Sequence, residues 1–357
     1  MSQPGIYSKS VGYSAVSNLL RLGKSLVKLY LLRQRVPLFV QILLTSRCNS
    51  RCKYCNIPLR DQKELSTERI LSLIDEMAAA GTYRVGLYGG EPLLRGDIFT
   101  IVQHAKKKGL MVHLYTNGLL VKQNIDTIRL LDGIFISIDG PEEIHNELRG
   151  KGSFKKVIEA IELSTQYVPV YLMTVLTKQN KKYISYISEL SIKYDCLVNY
   201  QLVFETPSLS ADVSPYKLDT SEREECINEI LELKKRNSNI ALSNTNLQRM
   251  LDWTPSLQKK GYQCGVIKCW NGRGACVIDS DGALYSCYQL IGKEKALNLN
   301  EHTFQGAFDY INSCTCLTCD VGCGAEYNLW LSLNPESVLN LVGLLRRSSR
   351  RKSSLHH

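Results

Sequence analysis

Residues Leu38–Cys55 read LFVQILLTSRCNSRCKYC, and this stretch decides the fold. A run of β-formers, Phe39–Leu44, stops where three cysteines begin: Cys48, Cys52 and Cys55, spaced C-x3-C-x2-C. Soft thiolates close together on a loop suit an iron–sulfur cluster, which ordinarily takes four of them. Three leave one iron without a protein ligand, and a chelating molecule can bind there. Zinc is the alternative, but structural zinc prefers four protein ligands in a closed site. A loop rich in chemistry directly after a strand is also where parallel α/β folds keep their active sites.

Working outward, the strand at Phe39–Leu44 is the first of six. The others are predicted at Arg84–Tyr88, Met111–Tyr115, Ile134–Ile138, Val170–Val175 and Leu197–Val203. Amphipathic, helix-period stretches begin near Thr67, Ile98, Ile125, Phe154 and Tyr183, with a sixth at Glu222–Lys235. Strand then helix, six times over, implies a parallel sheet with helices on its outer face. Six units rather than eight predict an α/β fold of the partial (β/α)6 TIM-like barrel type over residues 37–238. Three further strand ends carry distinctive residues: Gly89-Gly90-Glu91-Pro92, Thr116-Asn117-Gly118 and Ser137-Ile138-Asp139-Gly140. Adjacent glycines permit close approach to backbone. Asp139 before Gly140-Pro141 has an equally good reading as turn chemistry.

Beyond Asn239 the pattern changes. Residues 239–262 read as a polar linker, and residues 263–330 as a small Cys- and Gly-rich module. Within it Ala275–Ile278 and Ala283–Ser286 flank Asp279-Ser280-Asp281-Gly282, a hairpin-turn signal. Eight of the thirteen cysteines lie between Cys264 and Cys323. Cys196 and Cys226 stand alone in regular segments and read as small buried hydrophobes. No apolar run reaches the ~18 residues that span a bilayer and no signal peptide is evident, so a cytoplasmic location is expected. In a reducing compartment clustered cysteines point to metal or catalysis rather than disulfides. A zinc ribbon is one reading of Cys316-x2-Cys319.

The net charge of +10 is concentrated at the ends. Residues 1–36 carry six basic residues and no acid, and residues 337–357 carry five and no acid. A near-neutral body argues against a nucleic-acid channel. Ala15–Arg35 and the stretch starting at Asn334-Pro335 read as basic amphipathic helices. Such helices either cover a core or lie on an anionic membrane, so peripheral contact with the cytoplasmic membrane face is one expectation for residues 1–36 and 331–357.

Taken together, the cysteine triad, Tyr54 before its last member, the Gly-Gly-Glu after the second strand, and the run from Ser137 to Arg149-Gly150 resemble the radical S-adenosylmethionine enzymes. The resemblance covers roughly residues 38–205. It implies a [4Fe–4S] cluster on Cys48, Cys52 and Cys55 with one open iron, to which S-adenosylmethionine binds. It also implies cofactor contacts from Tyr54, Gly89, Gly90, Glu91, Ser137, Asp139 and Arg149. The spacing C-x12-G-x4-C from Cys269 to Cys287, followed by C-x2-C, resembles that family's auxiliary-cluster modules, SPASM and its shortened twitch form. With no cysteine after Cys323, the resemblance implies one auxiliary [4Fe–4S] cluster, or two if the longer pattern is filled. The expected ligands are Cys269, Cys287, Cys316 and Cys319, with Cys323 and Cys276 competing. Tyr288 stands where sulfatase-maturing relatives place an aspartate base, which argues against that activity.

The expected function is therefore an oxidoreductase or related radical enzyme. It would cleave S-adenosylmethionine reductively, with an electron donor such as flavodoxin or ferredoxin, and abstract hydrogen from its substrate. The 36 residues ahead of the barrel are expected to be too short for a leader-binding domain. A small-molecule or lipid-like substrate is thus preferred, with ribosomal peptide maturation as the alternative. A non-enzymatic metal or nucleic-acid binder accounts for the basic charge but not for the motifs at the strand ends.

Overall fold

The computed structural model describes residues 10–203, 205–206, 208–252, 269–311 and 322–354. Six strands follow one another across a sheet: β1 (Phe39–Leu43), β2 (Arg84–Tyr88), β3 (Met111–Thr116), β4 (Gly133–Ser137), β5 (Val170–Leu176) and β6 (Leu197–Leu202). All are parallel, each paired to the next in sequence. Helices α2 (Thr67–Ala80), α3 (Ile98–Lys107), α4 (Ile125–Leu130), α6 (Ser153–Ser164) and α7 (Ile184–Lys193) lie between them and cover the outer face, while α5 (Glu142–Arg149) sits beside the cysteine loop. Helix α2 shows how local sequence sets these bounds. Ser66 accepts a hydrogen bond from the Arg69 amide, Gly81 ends the helix in the left-handed region, and Ile70, Leu73, Ile74 and Met77 form its buried stripe.

Two features differ from the sequence expectation. First, β7 (Ala275–Ile278) lies parallel to β1 and joins the barrel sheet, and the short β8 (Ala283–Tyr285) and β9 (Leu297–Asn298) then follow antiparallel. The expected hairpin is present, and its first strand extends the barrel sheet. The cause is β1, which would otherwise expose an unpaired edge, and β7, which is buried along its whole length. Second, after α8 (Thr220–Arg236), the stretch expected to be a polar linker carries α9 (Asn244–Asp252). This helix is polar yet buried. Asn246 donates to the Glu326 carboxylate at 2.8 Å and accepts from Arg249 at 3.1 Å, so its polar groups are paired inside the fold.

The N-terminal ends of the strands are closed. The chain forms α10 (Phe304–Tyr310), α11 (Gly322–Leu331) and α12 (Pro335–Ser354), and α1 (Ser10–Tyr30) precedes β1. In α11, Tyr327 packs on Phe39 at the start of β1 with ring centroids 5.9 Å apart. Leu331 joins Leu29 and Trp270 in one cluster, and Leu344 of α12 packs on Leu197 and Tyr171 at the starts of β6 and β5. Helix α12 begins as its sequence implies, with Asn334 accepting from the Ser337 amide at 3.0 Å.

Candidate active site

The opposite ends of the strands carry the motif residues. After β1 the chain turns so that the Thr45 and Arg47 carbonyls accept from the amides of Gly90 and Glu91, at 2.7 and 2.8 Å. This contact explains the two glycines. A Cβ on Gly90 would stand 2.2 Å from the Arg47 carbonyl oxygen, and one on Gly89 would stand 2.4 Å from that of Thr45. The Gly-Gly pair therefore lets one backbone lie on another and fixes the start of the cysteine loop.

Each of two thiols in that loop meets a donor. Cys48 Sγ accepts from the Ser50 amide at 3.4 Å and from Asn117 Nδ2 at 3.7 Å, and Cys52 Sγ accepts from Arg149 Nη1 at 3.9 Å. Burial pushes all three thiols up, Cys55 to about 11, so without a cation they stay protonated. Binding an iron–sulfur cluster would displace those protons, and the donors then face thiolates. Among the described residues no three acidic, His or Cys side chains converge on one point, as the ligands of a single metal ion do. Thiolates of a cubane each take a different iron, so the donor set fits a cluster better than zinc.

The carboxylates of Glu91 and Asp139 are engaged within the protein. Both are fully buried. The Glu91 carboxylate accepts from Thr116 Oγ1 at 2.9 Å and from the amides of Leu93 and Asn117 at 3.0 and 2.8 Å. Burial raises its pKa to about 7, against the pull of those donors. Its work is to hold Asn117 against Cys48. Asp139 accepts from the Tyr54 hydroxyl at 2.5 Å, from Arg149 Nε at 2.6 Å and Nη2 at 3.3 Å, and from the Val175 amide at 3.1 Å. It anchors Arg149, which reaches Cys52 and lies 5.7 Å from the Tyr54 ring centre. Nearby, His145 is buried with Nδ1 accepting from the Asp139 amide at 3.2 Å. Burial first, then Arg149, lowers its pKa to about 4, so it is neutral with the proton on Nε2. Of the expected contacts, Ser137 at the end of β4, half-buried Tyr54, Gly89 and Gly90 keep some exposure.

The sequence reading missed the inner wall of the barrel. Tyr115, Phe135 and Tyr171, from three adjacent strands, stack with centroids 4.3 and 4.4 Å apart and planes within 13°. Tyr88 meets Tyr115 edge-on at 6.4 Å. Gly86 and Gly133 make room for this ladder, since a Cβ on either would lie 3.2 to 3.3 Å from a tyrosine ring. Rings that stack across neighbouring strands turn their edges, not their faces, toward the barrel interior. Alternation in Tyr-x-Gly or Phe-x-Ser reveals two faces but not which one is the lumen.

A lid of loops completes the site. The Cys52–Asn56 turn is bound to residues 209–211: Asn56 donates to the Leu209 carbonyl at 2.9 Å, and Ala211 to that of Tyr54 at 3.3 Å. Thr206 and Ser208 in turn hold the segment after β8, through Thr206 to Gln289 at 3.3 Å and Ser208 to the Ile291 carbonyl at 3.0 Å. The β7–β8 turn docks on the cysteine loop through the buried pair Arg60–Asp279, with Nη1 to Oδ1 at 2.9 Å, and through Ser280 against Ser46. Tyr288 joins Tyr88, Ile57, Leu209 and Val277 in one apolar cluster. Cys287 is buried just before it, and Cys269 is partly exposed. Cys276 sits inside the main core, its thiol pushed far up by burial. Cys196 and Cys226 are buried as expected. Cys264, Cys314, Cys316, Cys319 and the side chain of Cys323 lie outside the described residues.

Comparison with known proteins adds the following. Residues 42–190 match the profile of the Radical SAM superfamily. The AdoMet-dependent heme synthase of Methanosarcina barkeri is 29% identical over 291 residues, covering 75% of this chain and 81% of that protein. Mycofactocin maturase MftC of Mycolicibacterium smegmatis is 27% identical over 259 residues, covering 70% of this chain and 64% of the maturase. Among solved structures, Streptococcus suis SuiB bound to the precursor peptide SuiA superposes with a TM-score of 0.63 at 16% identity, over 86% of this chain and 72% of SuiB. The enzyme anSMEcpe with bound AdoMet superposes at 0.61 with 20% identity, over 76% of this chain and 80% of its own. These two likenesses establish the partial-barrel fold.

Proposed function

The chain is an enzyme of the radical S-adenosylmethionine superfamily, and from that premise we propose that it abstracts hydrogen from a peptide substrate held against the aromatic inner wall. In this reading Cys48, Cys52 and Cys55 hold a [4Fe–4S] cluster. Bound there, the cluster would supply the electron that splits S-adenosylmethionine into methionine and the 5′-deoxyadenosyl group that takes up the substrate hydrogen. The chain's own residues set the stage. Ser50 and Asn117 donate to Cys48, Arg149 donates to Cys52, and Glu91 and Asp139 hold Asn117 and Arg149 in place. Gly89, Gly90, Ser137 and Tyr54 border the space left for the cofactor.

One observation carries the substrate class. The wall formed by Tyr88, Tyr115, Phe135 and Tyr171 has no fixed charge and presents ring edges. Aromatic edges are the positive part of the ring quadrupole and suit carbonyl oxygens, as they suit the face of another ring. A peptide supplies such oxygens along with apolar side chains, whereas a charged metabolite would need charged partners. Kinship with an AdoMet-dependent heme synthase makes a porphyrin the competing substrate, while kinship with a maturase supports the peptide reading. It replaces the small-molecule or lipid-like preference drawn from sequence.

An auxiliary [4Fe–4S] cluster on Cys269 and Cys287, with Cys316, Cys319 or Cys323, is part of the same proposal, as is a flavodoxin or ferredoxin donor. Cys287 precedes Tyr288, which packs on the same apolar cluster as Tyr88, so a cluster there would lie on the side of the substrate wall that Tyr88 forms. The test is anaerobic turnover with S-adenosylmethionine and a strong reductant. A mixture of hydrophobic peptides, a porphyrin and a phospholipid extract are added in separate arms. Peptides should raise the rate of 5′-deoxyadenosine release and lose hydrogen by mass. Acceleration by porphyrin or lipid, with none by peptide, would overturn the substrate class.

A further inference from the structure

The molecule has a second surface, at the end opposite the cysteine loop. Helix α1 is fastened across the N-terminal ends of the strands: Arg21 donates to the Lys108 carbonyl ahead of β3 at 2.6 Å, and Ser25 to the Gly81 carbonyl ahead of β2 at 2.9 Å. Leu344 fastens α12 to the starts of β5 and β6. Both helices thus bury one face on the closed end of the barrel. Their outer faces are the unusual ones. Seven of the eleven large apolar side chains exposed among the described residues lie here. Leu20, Val27, Leu31 and Leu32 are on or just after α1, at 63, 47, 76 and 59% exposure. Leu333, Leu339 and Val342 lead into and lie along α12. Exposed large apolar side chains gathered at one end of a folded protein mark an interaction site.

Charge says what kind of partner fits. Lys24, Lys28 and Arg33 are exposed beside the α1 leucines, and residues 1–36 contain no acid. Arg21 and Arg35 are not part of this face, because both are spent on backbone carbonyls. In α12 the one acid, Glu336, is turned to the amides of Asn244 and Thr245, and the helix continues through Arg346, Arg347, Arg350, Arg351 and Lys352. Among the described residues no helix is long and apolar enough to cross a membrane. Exposed apolar side chains with Lys24, Lys28 and Arg33 beside them, on a helix fastened to the protein by its other face, suit an anionic bilayer interface.

We propose that this closed end of the barrel binds an anionic lipid bilayer, its leucines entering the interface and Lys24, Lys28 and Arg33 meeting the phosphates. The orientation has a consequence. The cysteine loop is at the far end of the strands, so the docked enzyme keeps its active-site mouth in solvent. The surface would place the enzyme at the membrane rather than feed lipid into the barrel.

The experiment is flotation of the full chain with phosphatidylglycerol vesicles and with phosphatidylcholine vesicles, at low and high salt. Binding is expected to the first, weakened by salt, and far less to the second. Lys24→Ala with Lys28→Ala should weaken partition about 30-fold, from roughly 1 kcal/mol for each basic residue at an anionic surface. Leu31→Glu with Leu32→Glu should abolish it, with circular dichroism and substrate-free 5′-deoxyadenosine formation unchanged because both side chains are exposed. Failure to float with phosphatidylglycerol at low salt would overturn the proposal, as would equal binding to both lipids. A dimer that Leu31→Glu and Leu32→Glu dissociate, without vesicle binding by the parent, would assign the face to a second copy of the chain instead.

Discussion

Asp139→Asn probes the supports of the cysteine loop at their centre. The carboxylate is fully buried and receives four hydrogen bonds, from Tyr54, the Val175 amide and two nitrogens of Arg149. The amide puts an N–H where donors already point and leaves a buried guanidinium without its counter-charge. Breaking a buried ion pair from one side costs ~3–5 kcal/mol, which includes the hydrogen-bond mismatch. The damage extends to the cysteines, because Arg149 reaches Cys52 only while Asp139 holds it. Removing both charges, Asp139→Asn with Arg149→Met, takes away the stranded cation and should cost less than the sum of the single changes by ~1–3 kcal/mol. Urea unfolding of anaerobically prepared protein, with iron measured per chain, reads both effects. A single variant destabilised by less than ~1 kcal/mol, or strict additivity in the double variant, would refute the reasoning.

Further outcomes follow from the same geometry. Gly90→Ala drives a Cβ into the Arg47 and Ser46 carbonyls and should displace the cysteine loop, at a cost of ~1–3 kcal/mol and with iron retention reduced; elemental analysis checks it. Arg60→Ala strands buried Asp279 and should loosen the docked β7–β8 turn, seen as faster proteolysis in residues 279–291. Glu91 and His145 give opposed pH effects. Glu91 is raised from 4.5 to about 7, so the stability it contributes is full below pH 4.5 and lost as pH rises through 7. His145 is lowered from 6.5 to about 4, so its contribution is present above pH 6.5 and lost as pH falls through 4. Thermal melts of Glu91→Gln should therefore lose stability on acidification relative to the parent, and those of His145→Gln should gain it, each by up to ~3 kcal/mol. Profiles that move together would refute the assignment.

The six strand–helix units are legible in the sequence because their apolar periods are clean; the strand expected at Phe39–Leu44 is β1 at Phe39–Leu43. The cysteine triad is legible because its spacing is local. What escapes is non-local. The helix at Asn244–Asp252 is polar, and its burial makes sense only once Glu326 arrives from α11 to accept from Ser243 and Asn246. Strand β7 is readable as a strand, but its partner β1 lies more than two hundred residues earlier. Glu91 and Asp139 are visible as motif residues, yet their inward direction depends on Thr116, Asn117, Tyr54 and Arg149 meeting them in space. The aromatic ladder needs three strands in register before Tyr115, Phe135 and Tyr171 become one surface.

Formation of 5′-deoxyadenosine from S-adenosylmethionine, under strict anaerobiosis with a strong reductant, tests the central assignment most directly. The parent protein should form it slowly even without substrate. Cys48→Ala, Cys52→Ala and Cys55→Ala should each abolish it, whereas Cys226→Ala, at a buried position in α8, should retain it. Undiminished formation in any one of the three loop variants would contradict the account.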